Sequence, residues 1–163
     1  MNKRNFKEKY EKIVSKTVKR SFPELNDKKV FIKIKNLSGG SMFAGGWFFR
    51  GVILVDIRKY KNANRREIEG ALVHELVHIK EYYSWNFFKY FFYIFRCSLL
   101  KMGYPQIERK TDKETIRRGY AKQLYACRIF RLFKSHPPYR MKLSESYLTP
   151  KEIKKYAQSI GKW

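Results

Sequence analysis

The chain has 163 residues, the size of one domain or of one domain with an appendage. It is long enough to bury a core without disulfide bonds or a structural metal. Lysine and arginine number 37 against 14 aspartate and glutamate residues, so the formal net charge is +23. The 13 Phe, 12 Tyr and 3 Trp residues exclude disorder along most of the chain, because disordered chains are poor in aromatic side chains.

Charge and cysteine content set the expectations about partners and location. A charge of +23 favours polyanions such as nucleic acid, anionic lipid or an acidic protein, although a solvated cationic surface gives the same composition. Cys97 and Cys127 are too few for a disulfide framework and do not form a Cys-x-x-Cys pair. The first ten residues lack the apolar segment of a signal peptide. We therefore expect a cytoplasmic protein, with association with a membrane as an open alternative.

In chain order, the spacing of apolar residues predicts a first helix that Phe22-Pro23 ends. A strand is predicted at 30–35, and one or two further strands are predicted at 42–49 and 51–57, where glycines mark a bulge or a hairpin. Helices are predicted at 3–21, from Asn64 to about Tyr83, from about Pro105 to Phe133, and in the tail 149–163. This order indicates an α+β fold, with a small mixed sheet packed against several helices.

Terminal signals support these helices. Asn64 is the predicted N-cap of the second helix, and Glu67 completes a capping-box pattern. His136-Pro137-Pro138 is expected to end the third helix. Thr149-Pro150 places an N-cap and a first-turn proline at the start of the last one.

The second predicted helix contains His74-Glu75-Leu76-Val77-His78. Two histidines four residues apart lie one above the other on a helix, so both can reach one metal ion at ~2.0–2.1 Å, the usual Zn–N distance. Zinc lowers the pKa of bound water to ~7 and polarises a scissile carbonyl. Glu75 can take a proton from that water and pass it to the leaving amine. The alternative is a pair of buried histidines beside a solvated glutamate.

A catalytic zinc needs a third protein ligand and one open position. No histidine lies between His78 and His136, so a carboxylate is the expected third ligand. Glu108 and Asp112 share one face of the third predicted helix. Glu108 is the expected ligand, and Asp112 is placed to accept the outer N–H of a ligating histidine. Glu114 is a rival ligand, and ordinary charges on a basic helix are the alternative.

His74-Glu-x-x-His78 with Glu108-x-x-x-Asp112 resembles the gluzincin metallopeptidases, and most of all the HtpX heat-shock protease and CAAX prenyl protease family. In size the chain resembles the small archaeal minigluzincins. The resemblance covers residues 38–142. Besides the zinc motif, four segments occur in the family's order: Ser41–Ala44, Gly51–Val55, Glu67–Glu69, and His136-Pro137 followed by Arg140.

The resemblance implies one zincin-type metallopeptidase domain over 1–163, with its peptidase core at about 29–142. It implies a zinc-dependent peptidase, a metalloendopeptidase most of all, acting on a protein or peptide substrate. His136 or Arg140 would then lie near the zinc ion and stabilise the oxyanion, and Tyr139 and Tyr147 are also able to donate. An edge strand, 42–49 or 51–57, would bind the substrate backbone. In minigluzincins a C-terminal segment can lie in the cleft, whereas a tail helix packed on the back of the domain is the alternative here.

The segment from Trp85 to Leu100 is aromatic at 8 of its 16 positions, yet it is shorter than the ~20 apolar residues of a spanning helix. It is interpreted as a core helix or hairpin, as an interfacial element on an anionic bilayer, or as a surface for stacking nucleic-acid bases, although no recognition motif supports the last. A second functional class therefore stays open, a basic membrane-surface or nucleic-acid-binding module that keeps a structural zinc site. Glu75 favours the enzyme, because a structural site has no need of a carboxylate there.

Overall fold

A computed structural model describes residues 3–37, 42–47, 50–84 and 104–163. The helices are α1 (Lys3–Ser21), α2 (Ile57–Tyr60), α3 (Arg65–Ser84), α4 (Tyr104–Arg117), α5 (Ala121–Lys134), α6 (Pro137–Ser146) and α7 (Pro150–Ser159), with a 3-10 turn at Pro23–Leu25. The strands are β1 (Lys29–Ile34), β2 (Met42–Trp47) and β3 (Arg50–Val55). The predicted α+β class is confirmed. The aromatic segment Trp85–Leu100 lies outside the described residues.

The three strands form one mixed sheet in the order β1-β3-β2. β1 runs parallel to β3, and β2 runs antiparallel to it. Ile53 of β3 pairs with Ile32 on one side and Ala44 on the other, and all three are buried. Since β3 has a neighbour on each side, the candidate edge strand 51–57 is the central strand. Of the two candidates, β2 is therefore the one at an edge of the described sheet.

Helix α3 lies against the buried face of this sheet. Its start is the predicted capping box, in which Glu67 N donates to Asn64 Oδ1 (3.0 Å) and Asn64 N donates to Glu67 Oε2 (2.7 Å). Near its end, the Tyr83 hydroxyl accepts from Gly51 N (2.8 Å) and donates to Lys29 O (3.0 Å). Both ends of the helix are thereby fixed, which positions the histidines between them.

The single helix predicted from about Pro105 to Phe133 is wrong, because the structure has two helices there. After α4, Gly119 adopts a left-handed φ of 88°. Gly119 N donates to Ile116 O (2.9 Å) and Tyr120 N donates to Thr115 O (3.3 Å), the two bonds of a Schellman motif. The chain then turns and begins α5, which packs against α3.

His136-Pro137-Pro138 follows the end of α5, as predicted, but Pro137 also begins a helix, α6, that the sequence analysis did not predict. Proline at a first helical position has no N–H to lose, which is why it starts helices as well as ending them. None of the described helices combines the length and the apolar character that crossing a membrane requires.

The terminal helix α7 has the predicted start at Thr149, with a complete capping box to Glu152, and ends at Ser159 rather than at the last residue. Its Ile153 and Ala157 are buried with Leu148 and with side chains of α4 and α5. The Trp163 ring lies 5.4 Å from the Tyr125 ring of α5. The tail helix is therefore packed against α4 and α5.

Gly70 lets α3 and α5 approach closely, and its replacement by alanine is expected to destabilise the fold. A Cβ at this position would lie 2.2 Å from the backbone oxygen of Gln123, which cannot rotate away. We expect Gly70→Ala to lower the free energy of unfolding by about 1–3 kcal/mol in a urea titration. Gly45→Ala is the control, since its Cβ would meet its nearest neighbour, the Phe43 ring, at an ordinary 3.6 Å. Equal stability of the two variants would contradict the close approach.

Candidate metal centre

Three buried side chains from α3 and α4 meet at one point. Glu108 Oε2 lies 2.9 Å from His74 Nε2 and 3.5 Å from His78 Nε2. One ligand atom from each residue can be chosen so that all lie within 4.8 Å of one another. The structure thus brings together the three residues predicted as metal ligands, two from one helical turn and one from a helix 34 residues further along the chain.

The spacing within each helix accounts for this convergence. His74 and His78 are one turn apart on α3, and their rings lie 5.0 Å apart at 79°. Glu108 and Asp112 are one turn apart on α4, and they contact the two nitrogens of the same ring: Glu108 at His74 Nε2 and Asp112 at His74 Nδ1, each at 2.9 Å. The His74 ring therefore lies between two carboxylates.

Asp112 is fully buried, and both oxygens of its carboxylate have hydrogen-bond partners. Its Oδ1 lies 2.9 Å from His74 Nδ1, and Arg128 Nη2 donates to both carboxylate oxygens at 2.9 Å. Leu148 N donates to Oδ2 at 2.8 Å. Burial opposes the charge on Asp112, but Arg128, His74 and the Leu148 amide outweigh it and hold the pKa of this carboxyl below its usual range. A charged Asp112 holds a proton of His74 on Nδ1, so Nε2 is the nitrogen that would be free to bind a metal ion.

The charges of the site leave one buried carboxylate without a permanent cation. Asp112 is balanced by Arg128, whereas the partners of Glu108 in the described structure are the two imidazoles. Burial favours the neutral forms of His74 and Glu108, yet their mutual hydrogen bond and the one to Asp112 dominate. They raise the pKa of His74 to about 10 and lower the pKa of Glu108 well below its usual range. In the absence of a metal, a proton supplies the missing positive charge.

The donor set suits a zinc ion. Two imidazole nitrogens and a carboxylate are the protein ligands of one class of catalytic zinc sites. Tetrahedral ligands at ~2.0–2.1 Å from zinc lie roughly 3.3 Å from one another. The observed separations of 2.9 and 3.5 Å lie on either side of that distance. The Asp112 contact also supplies the carboxylate that usually orients a ligating histidine.

Glu75, the predicted base, follows His74 on α3 and is half-buried. Among the described residues, no hydrogen bond or ion pair engages its carboxylate, so this group is available to accept a proton from water. The rival ligand Glu114 faces another way. Its Oε1 accepts from Arg118 Nε at 3.0 Å and lies 3.7 Å from Lys80 Nζ.

The structure does not bring His136 and Arg140 to the three ligands. Both are exposed, and Arg140 Nε donates to Ser135 O (2.8 Å), so that it ties α6 to the end of α5. The described contacts include none between either residue and the ligand cluster. Tyr147 lies beside the site, with its ring centre 5.7 Å from that of His74.

Tyr147 is held by arginines that the sequence analysis did not single out. Arg109 Nη1 donates to Tyr147 O (3.0 Å) and also pairs with Glu152. The guanidinium carbons of Arg128 and Arg131 lie 4.3 and 4.9 Å from the centre of the Tyr147 ring. A sequence signal for Arg128 existed: it follows Ala121 and Leu124 at helical spacing, which puts a charge on the buried face of α5.

In comparisons with known proteins, no protein-family model, curated protein or solved structure matches the chain. The chemistry of the site itself therefore has to support any assignment of function.

Proposed function

We propose that the chain is a zinc-dependent peptidase, with zinc held by His74, His78 and Glu108. The observation that carries the proposal is the contact of one buried carboxylate with the Nε2 atoms of both histidines. A buried carboxylate flanked by two imidazoles is costly unless a cation joins them. The motif resembles that of the gluzincins, and this resemblance supports the same function. Within it, we propose a metalloendopeptidase.

The residues of the site have separable roles in this proposal. A bound zinc ion would make a water molecule acidic and polarise the substrate carbonyl. Glu75 takes the proton of the attacking water and delivers it to the nitrogen of the leaving amine. Asp112 fixes the ring of His74, and Arg128 in turn fixes Asp112. None of these steps needs a residue from the exposed start of α6.

The edge strand β2 is the proposed binding place for the substrate backbone. It pairs with β3 along one side, and its other side is the edge of the described sheet. β2 also packs against α3, the helix that carries the histidines and Glu75. An extended peptide added to this edge would gain main-chain hydrogen bonds without a requirement for sequence.

Glu108→Ala is expected to lower zinc affinity by at least about 10–100-fold, because it removes one of three protein ligands. The measurement is the zinc content of purified protein after dialysis against a competing chelator, together with cleavage of an unfolded protein such as casein. Glu114→Ala is the matched control on the same helix, since Glu114 pairs with Arg118 instead. Undiminished zinc affinity in Glu108→Ala, or its loss in Glu114→Ala, would assign the third ligand elsewhere.

The proposed partner surface outside the active site is an anionic membrane. The 37 lysine and arginine residues outnumber the 14 acidic residues by 23, so the acidic side chains are too few to neutralise most of the basic charge. We expect the protein to sediment with anionic vesicles at low salt and to dissociate as salt rises, because ions screen this attraction. Neutral vesicles are the control. Binding to both kinds of vesicle, or to neither, would contradict an electrostatic association.

A further inference from the structure

Two arginines of α5 contact Tyr147, the tyrosine beside His74, and have more hydrogen-bonding capacity than the described part of the protein uses. Arg128 is 2 % exposed, and its Nη2 donates to Asp112. Within the described structure, its Nε and Nη1 are buried without a hydrogen-bond partner. A buried donor without an acceptor costs free energy, so such a group is a candidate for binding something that arrives later.

Arg131, one turn further along α5, is half-buried and lacks an acidic partner. Every Asp and Glu of the chain lies in the described parts, and none of them places a carboxylate oxygen within 4.0 Å of the Arg131 guanidinium. Its titratable neighbours are the phenols of Tyr60, Tyr139 and Tyr147 and the thiol of Cys127. A half-buried guanidinium without a carboxylate partner keeps N–H donors available to bind an anion.

The charges of Arg131 and of the predicted base, Glu75, both act on the thiol of Cys127. Burial raises the pKa of this thiol most, the charges of Arg131 and Arg128 lower it, and those of Asp112 and Glu75 raise it. Arg131 and Glu75 are therefore both within electrostatic range of this sulfur atom. Through the Tyr147 ring, the Arg131 guanidinium also lies within about three extended residues of His74, at ~3.3–3.6 Å per residue.

We propose that Arg131, backed by Arg128 and Tyr147, binds a carboxylate of the substrate close to the scissile bond. The planar guanidinium offers a fork of N–H donors that matches a carboxylate, and its stacking on Tyr147 fixes the plane of that fork. Because the Arg131 guanidinium lies within about three extended residues of His74, the bound carboxylate must lie within about three residues of the bond that is cleaved. The carboxylate can be an Asp or Glu side chain or the C-terminus of a short peptide. This specificity rests on the proposed peptidase function.

The test compares matched peptides on the zinc-loaded full chain. One series carries a single Glu or Gln at each position within three residues of the cleaved bond, with both ends capped. A second series ends in a free acid or an amide. We expect kcat/KM to favour the charged member by about tenfold or more at one position or one terminus. Which series shows the preference identifies the source of the carboxylate.

Arg131→Gln is expected to bring the ratio of kcat/KM for the charged peptide to kcat/KM for the neutral peptide close to one. Its kcat/KM for the neutral peptide should stay within about twofold of the wild type. Arg131→Lys keeps the charge without the fork and should restore part of the preference. Lys134→Gln, an exposed charge one turn away on the same helix, is the control and should keep the full ratio. A preference that survives in Arg131→Gln, or no preference in the wild type, overturns the proposal.

A binding measurement separates this proposal from the peptidase function. Calorimetry with zinc-loaded Glu75→Gln compares the same charged and neutral peptides without requiring cleavage. If the protein cleaves no peptide but binds the charged one more tightly, and Arg131→Gln removes the difference, the carboxylate site stands and the peptidase function fails. If the charged and neutral peptides are cleaved and bound equally, the carboxylate site fails and the peptidase function stands.

Discussion

Replacement of Glu75 by glutamine is expected to slow peptide cleavage by about 10²–10⁴-fold and to leave zinc binding unchanged. Glutamine has the shape of glutamate but cannot take a proton from water. Since no hydrogen bond or ion pair of the described structure engages Glu75, its replacement breaks no structural contact. The measurements are kcat/KM on a quenched fluorescent peptide and the zinc content of the same sample.

Glu69→Gln is the matched control for this experiment. Glu69 is a half-buried glutamate of α3 and, like Glu75, has no ion pair within the described structure. It lies more than one turn before the histidines and should keep full activity. If Glu75→Gln retained cleavage in a pure sample, Glu75 would not be the base. If the wild type bound zinc but cleaved nothing, the site would be that of a basic binding module with structural zinc.

The local features of the site could be predicted from the sequence. A histidine pair at i and i+4 with an N-terminal capping box depends on contacts within one helix, and both are present in α3. The same holds for the capping box at Thr149. The spacing of Glu108 and Asp112 predicts that they share one helix face, and in the structure both contact His74 from α4.

The features that depend on packing between distant segments could not be predicted in this way. β3 lies between β1 and β2, a pairing that spacing does not reveal, so either of two strands could have been the edge. The chain reversal at Gly119 brings Arg128 under Asp112, and a continuous helix would have carried it away. Gly119 follows two arginines at the end of a helical pattern, which is a C-terminal signal that could have been used.

Asp112→Ala is expected to be the most destabilising of these substitutions. It removes the acceptor for His74, for Leu148 N and for Arg128, and it leaves the Arg128 guanidinium buried without a counterion. The loss of one partner of a buried ion pair typically costs ~3–5 kcal/mol. We expect a decrease of that size in the free energy of unfolding of the metal-free protein, measured by chemical denaturation.

The dependence on pH has a definite sign. The pKa of Asp112 is lower in the folded protein than the usual 3.8, because Arg128, His74 and the Leu148 amide outweigh the effect of burial. The stability that its charge supplies is therefore fully present above about pH 4 and is lost as the pH falls through the folded pKa. Asp112→Asn keeps the shape of the side chain without the charge, so its difference from the wild type should shrink in acid.

Replacement of Arg128, which loses its counterion in Asp112→Ala, is the decisive control for this prediction. If the cost of Asp112→Ala comes from an uncompensated Arg128, then Arg128→Met in the same chain should recover part of the lost stability, since an apolar side chain can replace a buried pair. Asp27→Ala, which breaks an exposed pair with Lys28, should change stability little. A double variant no more stable than Asp112→Ala alone would show that the cost lies in the bonds to His74 and Leu148. In that case Asp112 supports the fold through the metal centre and the C-terminal segment rather than through the ion pair.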